Sequence, residues 1–547
     1  MINIVDGVKK YAKTDRLAVI EREDILSYKD LDKFSDIIAN YIIRNSKTVN
    51  PVAIYANKDI MILPVMIGAL KSGRAYVPMD VSFPQQRVDD VVEAVCPDMV
   101  FDFTDGEYFF NKENREDKKE NYKNVQIISR QDLCEIVEEN KNTELAKEVP
   151  NDQWVKGDEN SYILFTSGST GKPKGVQIST YNLNSFIEWM SPILGIDGSE
   201  KVVMDQPAYS FDLSVSQLYP GIANGATLYS LSKKVVADFN LMFEEMKKSN
   251  MDVWVSTPTF IGMCLSDDSF TEELLPNLRK LLFIGEVLPV ETARKLRERF
   301  PKAEVINGYG PTEATVGISH VIISDEHINS GQSLPVGVPM PNSKIKIVDE
   351  QGKEVPKGEK GEIIIIGPSV SKGYYKNEAK NLEAFYVEEI DPWTEIDAEY
   401  KKELDKRSDE DKEFDNLRYR AYRTGDLGSI LEDGNIKYSG RKDFQIKLNG
   451  YRIEIEDIEN NLRKVTNVKN AVVLPVYKNE KIAFLKAIVE LKKSNDLGNL
   501  KNGIKIKKEL SNFMPEYMIP RSVAIIDSMP TNTNGKIDRK KLKEEYL

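Results

Sequence analysis

The sequence predicts an α/β protein with a large N-terminal domain of βαβ-layered sheets and a β subdomain, followed by a small α+β C-terminal domain. Three observations indicate this fold. Short apolar runs alternate with amphipathic stretches between about residues 17 and 300. Shorter apolar runs separated by turn residues follow from about residue 330, and the pattern changes again after residue 442.

The first domain shows its pattern most clearly in three successive segments. Pro51–Tyr55 is an apolar run, Ile60–Leu70 is amphipathic, and Tyr76–Met79 is apolar again. Strand, helix and strand in this order form a βαβ unit, which gives a mostly parallel sheet covered by helices. Lys344–Val348 and Gly361–Gly367 are short strands between turn residues, so we expect a compact β subdomain there.

A highly charged segment precedes the end of the first domain. Residues 387–418 are dense in Asp, Glu and Lys and poor in large apolar side chains. Such a segment cannot bury much surface. We expect an exposed insertion, which is either a solvated segment or a docking surface for a partner.

The last part of the chain is predicted to form a separate unit. We expect a helix at Ile453–Leu462 and strands at Ala471–Pro475 and Ile482–Leu491. Arg441 and the residues after it form a plausible hinge. The predicted domains are therefore 1–442 and 443–547.

Composition excludes several classes of function. Lys and Arg number 75 against 87 Asp and Glu, a net charge of -12 that repels nucleic acid and anionic lipid. The three cysteines include no CxxC pair, which argues against a disulfide framework or a zinc ribbon. The start of the chain lacks a secretory pattern, so we expect a cytoplasmic protein without membrane insertion. The two histidines, His320 and His327, stand in a polar segment around an apolar run without ligand spacing, which argues against a Ser-His-Asp triad or a histidine-rich metal site.

The segment Leu164–Gly175 is a loop suited to binding phosphate, and it follows an apolar run. Its glycines allow backbone N–H groups to approach phosphate oxygens, and its hydroxyls and lysines add donors and positive charge. The spacing is not that of a Walker A motif. The candidate ATP-binding residues of this loop are Thr166, Ser167, Gly168, Ser169, Thr170, Gly171 and Lys174.

This loop resembles the signature of the acyl-adenylate-forming superfamily. Four further segments resemble the remaining motifs of that family in order and spacing, so the resemblance covers nearly the whole chain. They are Asn307-Gly-Tyr-Gly-Pro-Thr-Glu-Ala-Thr, Tyr422-Arg-Thr-Gly-Asp-Leu-Gly, Gly440-Arg-Lys-Asp-Phe-Gln-Ile-Lys-Leu-Asn-Gly-Tyr-Arg-Ile-Glu and Asn534-Gly-Lys-Ile-Asp-Arg.

The resemblance implies ATP and Mg²⁺ as cofactors and assigns roles around the nucleotide. Glu313 matches the magnesium ligand, Tyr309 can stack on adenine, and Asn307 can read the base edge. Asp426 matches the carboxylate that accepts the ribose hydroxyls. Arg441 either contacts the nucleotide or forms a salt bridge at the hinge. Gly308, Gly310 and Thr312 complete the predicted ATP-binding set.

Two lysines of the C-terminal domain receive catalytic roles from the resemblance. Lys536 matches the lysine inserted between the substrate carboxylate and the α-phosphate, where it offsets charge in the transition state. The family then rotates this mobile domain about a hinge that matches Asp443, which brings Lys447 to the site for thiol transfer. The implied acceptor is the phosphopantetheine thiol of a carrier protein, and we expect a monomer.

The amino-acid-activating branch of the family is favoured by Asp212, which matches the aspartate that binds the substrate ammonium group. Segments such as Phe211-Asp-Leu-Ser-Val and Gly285-Glu-Val-Leu-Pro resemble the members that load D-alanine. The predicted pocket departs from their pattern by one larger and three smaller residues, which could admit a bulkier side chain or alter the preference for the D enantiomer. The candidate substrate-binding residues are Asp212, Ser216, Ile284, Gly308, Val316 and Gly317.

Two alternatives remain open at this stage. The chain could activate a different amino acid for a nonribosomal peptide or a specialised carrier. It could also be an inactive nucleotide-binding scaffold, since a fold does not fix a function. The presence of Glu313, Asp426 and Lys536 argues against the scaffold.

Overall fold

The computed structural model describes residues 3–104, 124–168, 172–388, 417–442, 445–448, 450–478, 481–493, 498–530 and 537–547. The chain divides into two compact units. The first comprises Met1–Val81, Val95–Leu164 and Gly175–Lys442, and the second comprises Ser82–Ala94, Phe165–Lys174 and Asp443–Leu547. The bounds 1–442 and 443–547 remain a prediction.

A nine-stranded sheet spans much of the first unit. Its central strands are parallel, and antiparallel pairs close both edges. In spatial order the strands are Val338–Pro339, Ser319–Ile322, Glu304–Tyr309, Lys280–Phe283, Val253–Ser256, Val202–Asp205, Thr227–Ser230, Leu17–Glu21 and Asp24–Ser27.

A six-stranded sheet contains the predicted βαβ unit. The predicted strand at Pro51–Tyr55 is observed at Val52–Ala56, and every residue of it is buried, as expected where a parallel strand is covered on both faces. In spatial order the strands are Gln126–Ser129, Met99–Asp102, Val52–Ala56, Tyr76–Asp80, Asn160–Thr166 and Lys174–Ser179.

Helices accompany these sheets, and several of them begin at local capping signals. Ser179 and Asn182 form a capping box at the start of one helix, and Thr257 caps another whose first residue is proline. The helices are Ile4–Tyr11, Tyr28–Asn45, Ile62–Lys71, Gln85–Val95, Arg130–Asn140, Thr180–Ile193, Val215–Ala223, Lys233–Ala237, Phe239–Ser249, Pro258–Cys264, Val290–Arg299, Asp325–Asn329 and Glu378–Ala384.

The predicted β subdomain is an antiparallel five-stranded sheet. Lys344–Val348 and Gly361–Ile366 lie beside Arg420–Ile430, which also pairs with Phe385–Val387 and Ile436–Arg441. Most of the predicted insertion, from 389 to 416, lies outside the described residues.

The second unit holds a strand pair, Gln445–Leu448 with Tyr451–Glu454, and a sheet of Val468–Lys478, Lys481–Leu491 and Ser522–Ile526. Its C-terminal helices are Ile455–Lys464, Gly498–Leu510 and Arg539–Tyr546. The helix expected from Ile453 begins two residues later, because Ile453 pairs with Ile446 in the preceding strand.

The predicted fold class is confirmed by this mixed α/β architecture, with a large sheet-containing unit and a smaller one. Within the described ranges, no helix combines the length and the apolar character needed to cross a membrane.

Candidate active site

The Asp426 carboxylate is buried in the β subdomain, and each of its oxygens accepts a hydrogen bond. Antiparallel pairing places Asp426 opposite Arg441. Arg441 Nη1 donates to Oδ1 at 2.6 Å, and the Tyr309 hydroxyl donates to Oδ2 at 2.6 Å. These two donors fix the orientation of the carboxylate. Arg441 thus forms a salt bridge with Asp426, and both roles predicted for it, at the nucleotide and at the hinge, remain predictions.

Tyr309 and Asn307 lie on the strand Glu304–Tyr309, which precedes the turn that contains Thr312 and Glu313. Burial raises the pKa of Tyr309 well above its usual value, and the nearby Asp426 charge adds to the shift, so the phenol remains a donor. The Asn307 amide Nδ2 donates to the Pro335 carbonyl at 2.8 Å. Its Oδ1 is buried and has no hydrogen-bond partner among the described residues.

The predicted ammonium-binding residue contacts the motif that carries the predicted metal ligand. The Thr312 hydroxyl donates to Asp212 Oδ2 at 2.6 Å, although the two residues are 100 positions apart. Asp212 begins a short 3₁₀ turn, and Thr312 begins another that also contains Glu313. The structure therefore places the predicted ammonium-binding residue against the turn that carries the predicted metal ligand.

Glu313 is completely buried, which is unusual for a glutamate in a turn. The Tyr374 hydroxyl donates to Glu313 Oε1 at 2.7 Å. The Ser371 backbone N–H donates to the Glu313 carbonyl at 2.9 Å. The side chain and the backbone of Glu313 are thus both held by the segment that follows the strand Gly361–Ile366.

The turn around Glu313 contains strained backbone. Thr315 and Val316 have φ values of 54° and 70°, which β-branched residues rarely adopt. Gly310 is required by close approach, because a Cβ there would lie 2.5 Å from the Gly317 Cα. Such strain persists only where surrounding contacts enforce it, and it concentrates at functional sites.

The predicted side-chain pocket contains an isoleucine packed against two glycines. A Cβ at Gly317 would lie 2.8 Å from Ile284 Cδ1, and a Cβ at Gly308 would lie 3.5 Å from the same atom. Ile284 therefore occupies the volume left by the missing side chains. Ser216 is buried on the helix Val215–Ala223, and its hydroxyl has no hydrogen-bond partner in the described part of the chain.

The phosphate loop belongs to the second unit, and the structure describes part of it. Ser167 Oγ donates to the Arg452 carbonyl at 3.0 Å, and Lys174 forms an ion pair with Glu454 at 3.3 Å. A Cβ at Gly168 would lie 2.1 Å from the Lys172 carbonyl oxygen, so this position requires glycine. Thr166 ends a strand with its hydroxyl buried. The remaining predicted loop residues, Ser169, Thr170 and Gly171, lie outside the described residues.

Of the two predicted catalytic lysines, Lys447 lies within the described residues and Lys536 does not. Lys447 is half-buried on the strand Gln445–Leu448, where it pairs with Arg452. Lys536 and the predicted hinge residue Asp443 lie outside the described residues. Their roles therefore remain predictions.

Three residues around the site have no motif that could have revealed them. Tyr374 contacts Glu313, as described above. Trp189 and Phe186 lie 3.6 Å and 3.8 Å from the position that a Gly317 Cβ would occupy. The two aromatic residues are spaced three apart on the helix Thr180–Ile193, which is the ordinary spacing of a core-facing helix.

Comparison with known proteins defines the class to which this fold and site belong. Residues 8–375 match the family described as AMP-binding enzyme, and residues 457–536 match the AMP-binding enzyme C-terminal domain. The chain belongs to the AMP-binding enzyme family. The family membership predicted from the motifs is thereby confirmed.

Individual relatives extend over almost the full chain. A D-alanine--D-alanyl carrier protein ligase of Bacillus licheniformis is 38% identical and covers 100% of this chain and 99% of its own length. One from Listeria monocytogenes is 40% identical, covering 95% and 94%. A Vibrio cholerae adenylation domain in complex with glycyl-adenosine-5'-phosphate has a TM-score of 0.79 at 21% identity, covering 99% and 96%, and it supports the fold.

Proposed function

We propose that this protein uses ATP to activate an amino acid, with D-alanine as first choice, and transfers it to the phosphopantetheine thiol of a carrier protein. The observation that carries the proposal is the hydrogen bond between Thr312 and Asp212, which joins an ammonium-binding carboxylate to the turn of Glu313. The full-length similarity to D-alanine--D-alanyl carrier protein ligases supports the choice of substrate and acceptor. Because ATP is consumed, we place the enzyme in the cytoplasm.

Asp212 recognises the amino group of the substrate. An ionised carboxylate has about four acceptor positions, and the bond from Thr312 takes one of them, so this bond is compatible with a substrate ammonium group on the same carboxylate. A charge-assisted hydrogen bond to ammonium is stronger than one between neutral groups. A fatty acid lacks the ammonium group, so Asp212 favours amino acids over plain acids.

Ile284 limits the size of the substrate side chain. Its δ-methyl group packs against Gly308 and Gly317, so one large residue offsets two small ones. This packing supports a small side chain such as the methyl group of alanine over the bulkier side chain that the sequence pattern could admit. The additional wall formed by Trp189 and Phe186 is aromatic and supports the same conclusion.

Several residues of the first unit suit a nucleotide. Asn307 Oδ1 is a buried acceptor, and the exocyclic amine of adenine is a donor of matching chemistry. Asp426, oriented by Tyr309 and Arg441, accepts the ribose hydroxyls. Thr166, Ser167, Gly168 and Lys174 of the loop bind the phosphates when ATP is present.

The first step needs no general base, because the substrate carboxylate is already ionised at neutral pH. One of its oxygens attacks the α-phosphorus, the bond from that phosphorus to the bridging oxygen breaks, and pyrophosphate leaves. Lys536 offsets the negative charge that builds during this displacement. In the second step the C-terminal domain turns about Asp443 and presents Lys447. The thiol sulfur then attacks the acyl carbon, its proton passes to solvent, and AMP leaves.

Magnesium fits the donor set around Glu313. The cation prefers oxygen ligands and is commonly held by one or two carboxylates together with substrate phosphates. The buried Glu313 carboxylate beside the Thr312 hydroxyl has this chemistry. When bound, magnesium would offset charge on the phosphates.

Pyrophosphate exchange with a panel of D- and L-amino acids tests the proposal. We expect D-alanine to give the highest kcat/KM, with glycine and L-alanine below it and D-valine and D-leucine lower still. The size limit set by Ile284 is the physical reason for the low rank of D-valine and D-leucine. No stimulation by D-alanine, with strong stimulation by another amino acid, would favour the alternative enzyme; no exchange with any acid would favour the inactive scaffold.

The variant Ile284→Ala belongs in the same panel. It removes the δ-methyl group that packs against Gly308 and Gly317 and should raise the ratio of D-valine to D-alanine exchange by about 10- to 200-fold. Ile323→Ala is the matched control, since it truncates a fully buried isoleucine in a different part of the core. It should lower stability without changing the ratio.

A further inference from the structure

Glu313 is held at two points by one short segment. This segment, Ser369–Tyr374, donates from the Ser371 N–H to the Glu313 carbonyl at 2.9 Å and from the Tyr374 hydroxyl to Glu313 Oε1 at 2.7 Å. It also accepts a bond of 2.7 Å from the Thr315 hydroxyl at the Ser369 carbonyl. Hydrogen bonds at Glu313 and Thr315 therefore connect the turn with the positive φ values to this segment.

Tyr374 is itself fixed from several directions. Its backbone N–H donates to Asn381 Oδ1 at 2.6 Å, and its carbonyl accepts from Asn381 Nδ2 at 3.0 Å. Its ring packs edge-on against Phe385, with centroids 5.4 Å apart. Val176 forms an antiparallel β-bridge with Tyr374. Only 4% of the Tyr374 surface is exposed, so these contacts hold its hydroxyl in one position.

We propose that Tyr374 is a positioning residue that orients the Glu313 carboxylate toward the divalent cation bound with ATP. This inference rests on the proposed role of Glu313 as the metal ligand. A buried carboxylate can rotate about its last torsion, and a short hydrogen bond from a fixed hydroxyl favours one orientation. A carboxylate has about four acceptor positions and this bond takes one of them, so the bond is compatible with a cation on the same group. Partners that orient a metal ligand commonly change metal affinity by about 10- to 100-fold when they are removed.

The variant Tyr374→Phe removes the hydroxyl and keeps the ring, the packing against Phe385 and both backbone bonds. The probe is Mn²⁺, titrated against the full-length enzyme with a non-cleavable α,β-methylene analogue of ATP, and free Mn²⁺ is measured by electron paramagnetic resonance. We expect the Kd for Mn²⁺ to rise about 10-fold or more. In pyrophosphate exchange, the half-saturating concentration of Mg²⁺ should rise by a similar factor, while kcat largely recovers at high Mg²⁺.

Tyr375→Phe is the matched control, because it removes a hydroxyl from the adjacent tyrosine and should leave the Mn²⁺ affinity unchanged. Phe385→Leu is a second variant that retains the hydroxyl and loosens the Tyr374 ring; an intermediate rise in Kd is expected. A purely structural role predicts something else: a lower melting temperature and lower kcat at every Mg²⁺ concentration, with the Kd for Mn²⁺ unchanged. That result would overturn the inference.

Glu313→Gln separates this inference from the proposed function. Weaker Mn²⁺ binding in Glu313→Gln together with unchanged binding in Tyr374→Phe means that the positioning role is wrong and the metal ligand stands. Unchanged Mn²⁺ binding in both variants would show that Glu313 is not the metal ligand and that Tyr374 does not position one. If both variants weaken binding, the double variant should bind no more weakly than Glu313→Gln alone, since Tyr374 acts through Glu313.

Discussion

Replacing Lys536 with alanine should lower the rate of adenylate formation by about 100- to 1,000-fold or more, because a preorganised cation near the α-phosphate stabilises charge that develops only in the transition state. The KM values for ATP and amino acid should change much less than kcat. Thioester formation from chemically prepared D-alanyl adenylate should remain largely intact. Pyrophosphate exchange measures the first step, and single-turnover transfer to a phosphopantetheinylated carrier protein measures the second.

Lys447→Ala is the complementary variant for this experiment. It should retain exchange and slow the transfer, since Lys447 is assigned to the second step. Lys543→Ala removes the same charge elsewhere near the C-terminus and should affect neither step. Equal damage to both steps in Lys536→Ala would contradict the division of labour between the two lysines.

Replacing Asp212 with asparagine should reduce kcat/KM for D-alanine by about 200- to 5,000-fold. The substrate ammonium would lose its charged partner, and removing one member of such a pair costs about 3–5 kcal/mol where the pair is withdrawn from water. The amide still accepts the hydrogen bond from Thr312, so the turn should keep its geometry. Steady-state exchange with D-alanine as the varied substrate checks the prediction.

Propionate serves as the internal control for Asp212→Asn, because it lacks the ammonium group and keeps the carboxylate. The wild-type enzyme should use propionate poorly, and the variant should use it no worse. Asp268→Asn, which removes a carboxylate from an exposed position, should leave both substrates unaffected. A variant that uses D-alanine as well as the wild type would show that the amino group is recognised elsewhere.

Much of the fold could be predicted because it depends on local patterns. The βαβ unit around Val52–Ala56 follows from the alternation of apolar and amphipathic segments, and both strands were expected within two residues of their observed ends. The helix start near Ile453 was misplaced, because a strand pair with Ile446 competes with the helix for the same apolar residues. Pairing of this kind depends on a neighbour in space, which a periodic pattern does not contain.

The site was predicted through motifs, and its internal contacts were not. Tyr309 and Asp426 are 117 residues apart, and Glu313 and Tyr374 are 61 residues apart, yet each pair shares a hydrogen bond. The motif resemblance assigned Tyr309 and Asp426 separately to adenine and ribose, without their mutual bond. The packing of Ile284 against Gly308 and Gly317 likewise depends on residues that are distant in sequence, so the sequence did not show that Ile284 fills the volume left by the smaller residues.

Oxygen transfer from the substrate tests the central claim most directly. The enzyme should be incubated with ATP, Mg²⁺ and D-alanine labelled with ¹⁸O in both carboxylate oxygens, with hydroxylamine as the acceptor, and the AMP released should be analysed by mass spectrometry. If a carboxylate oxygen displaces pyrophosphate from the α-phosphorus, each AMP formed carries one ¹⁸O atom, since the acceptor breaks the bond between carbon and oxygen. AMP without the label, or ADP in place of AMP, would contradict activation through an acyl-adenylate.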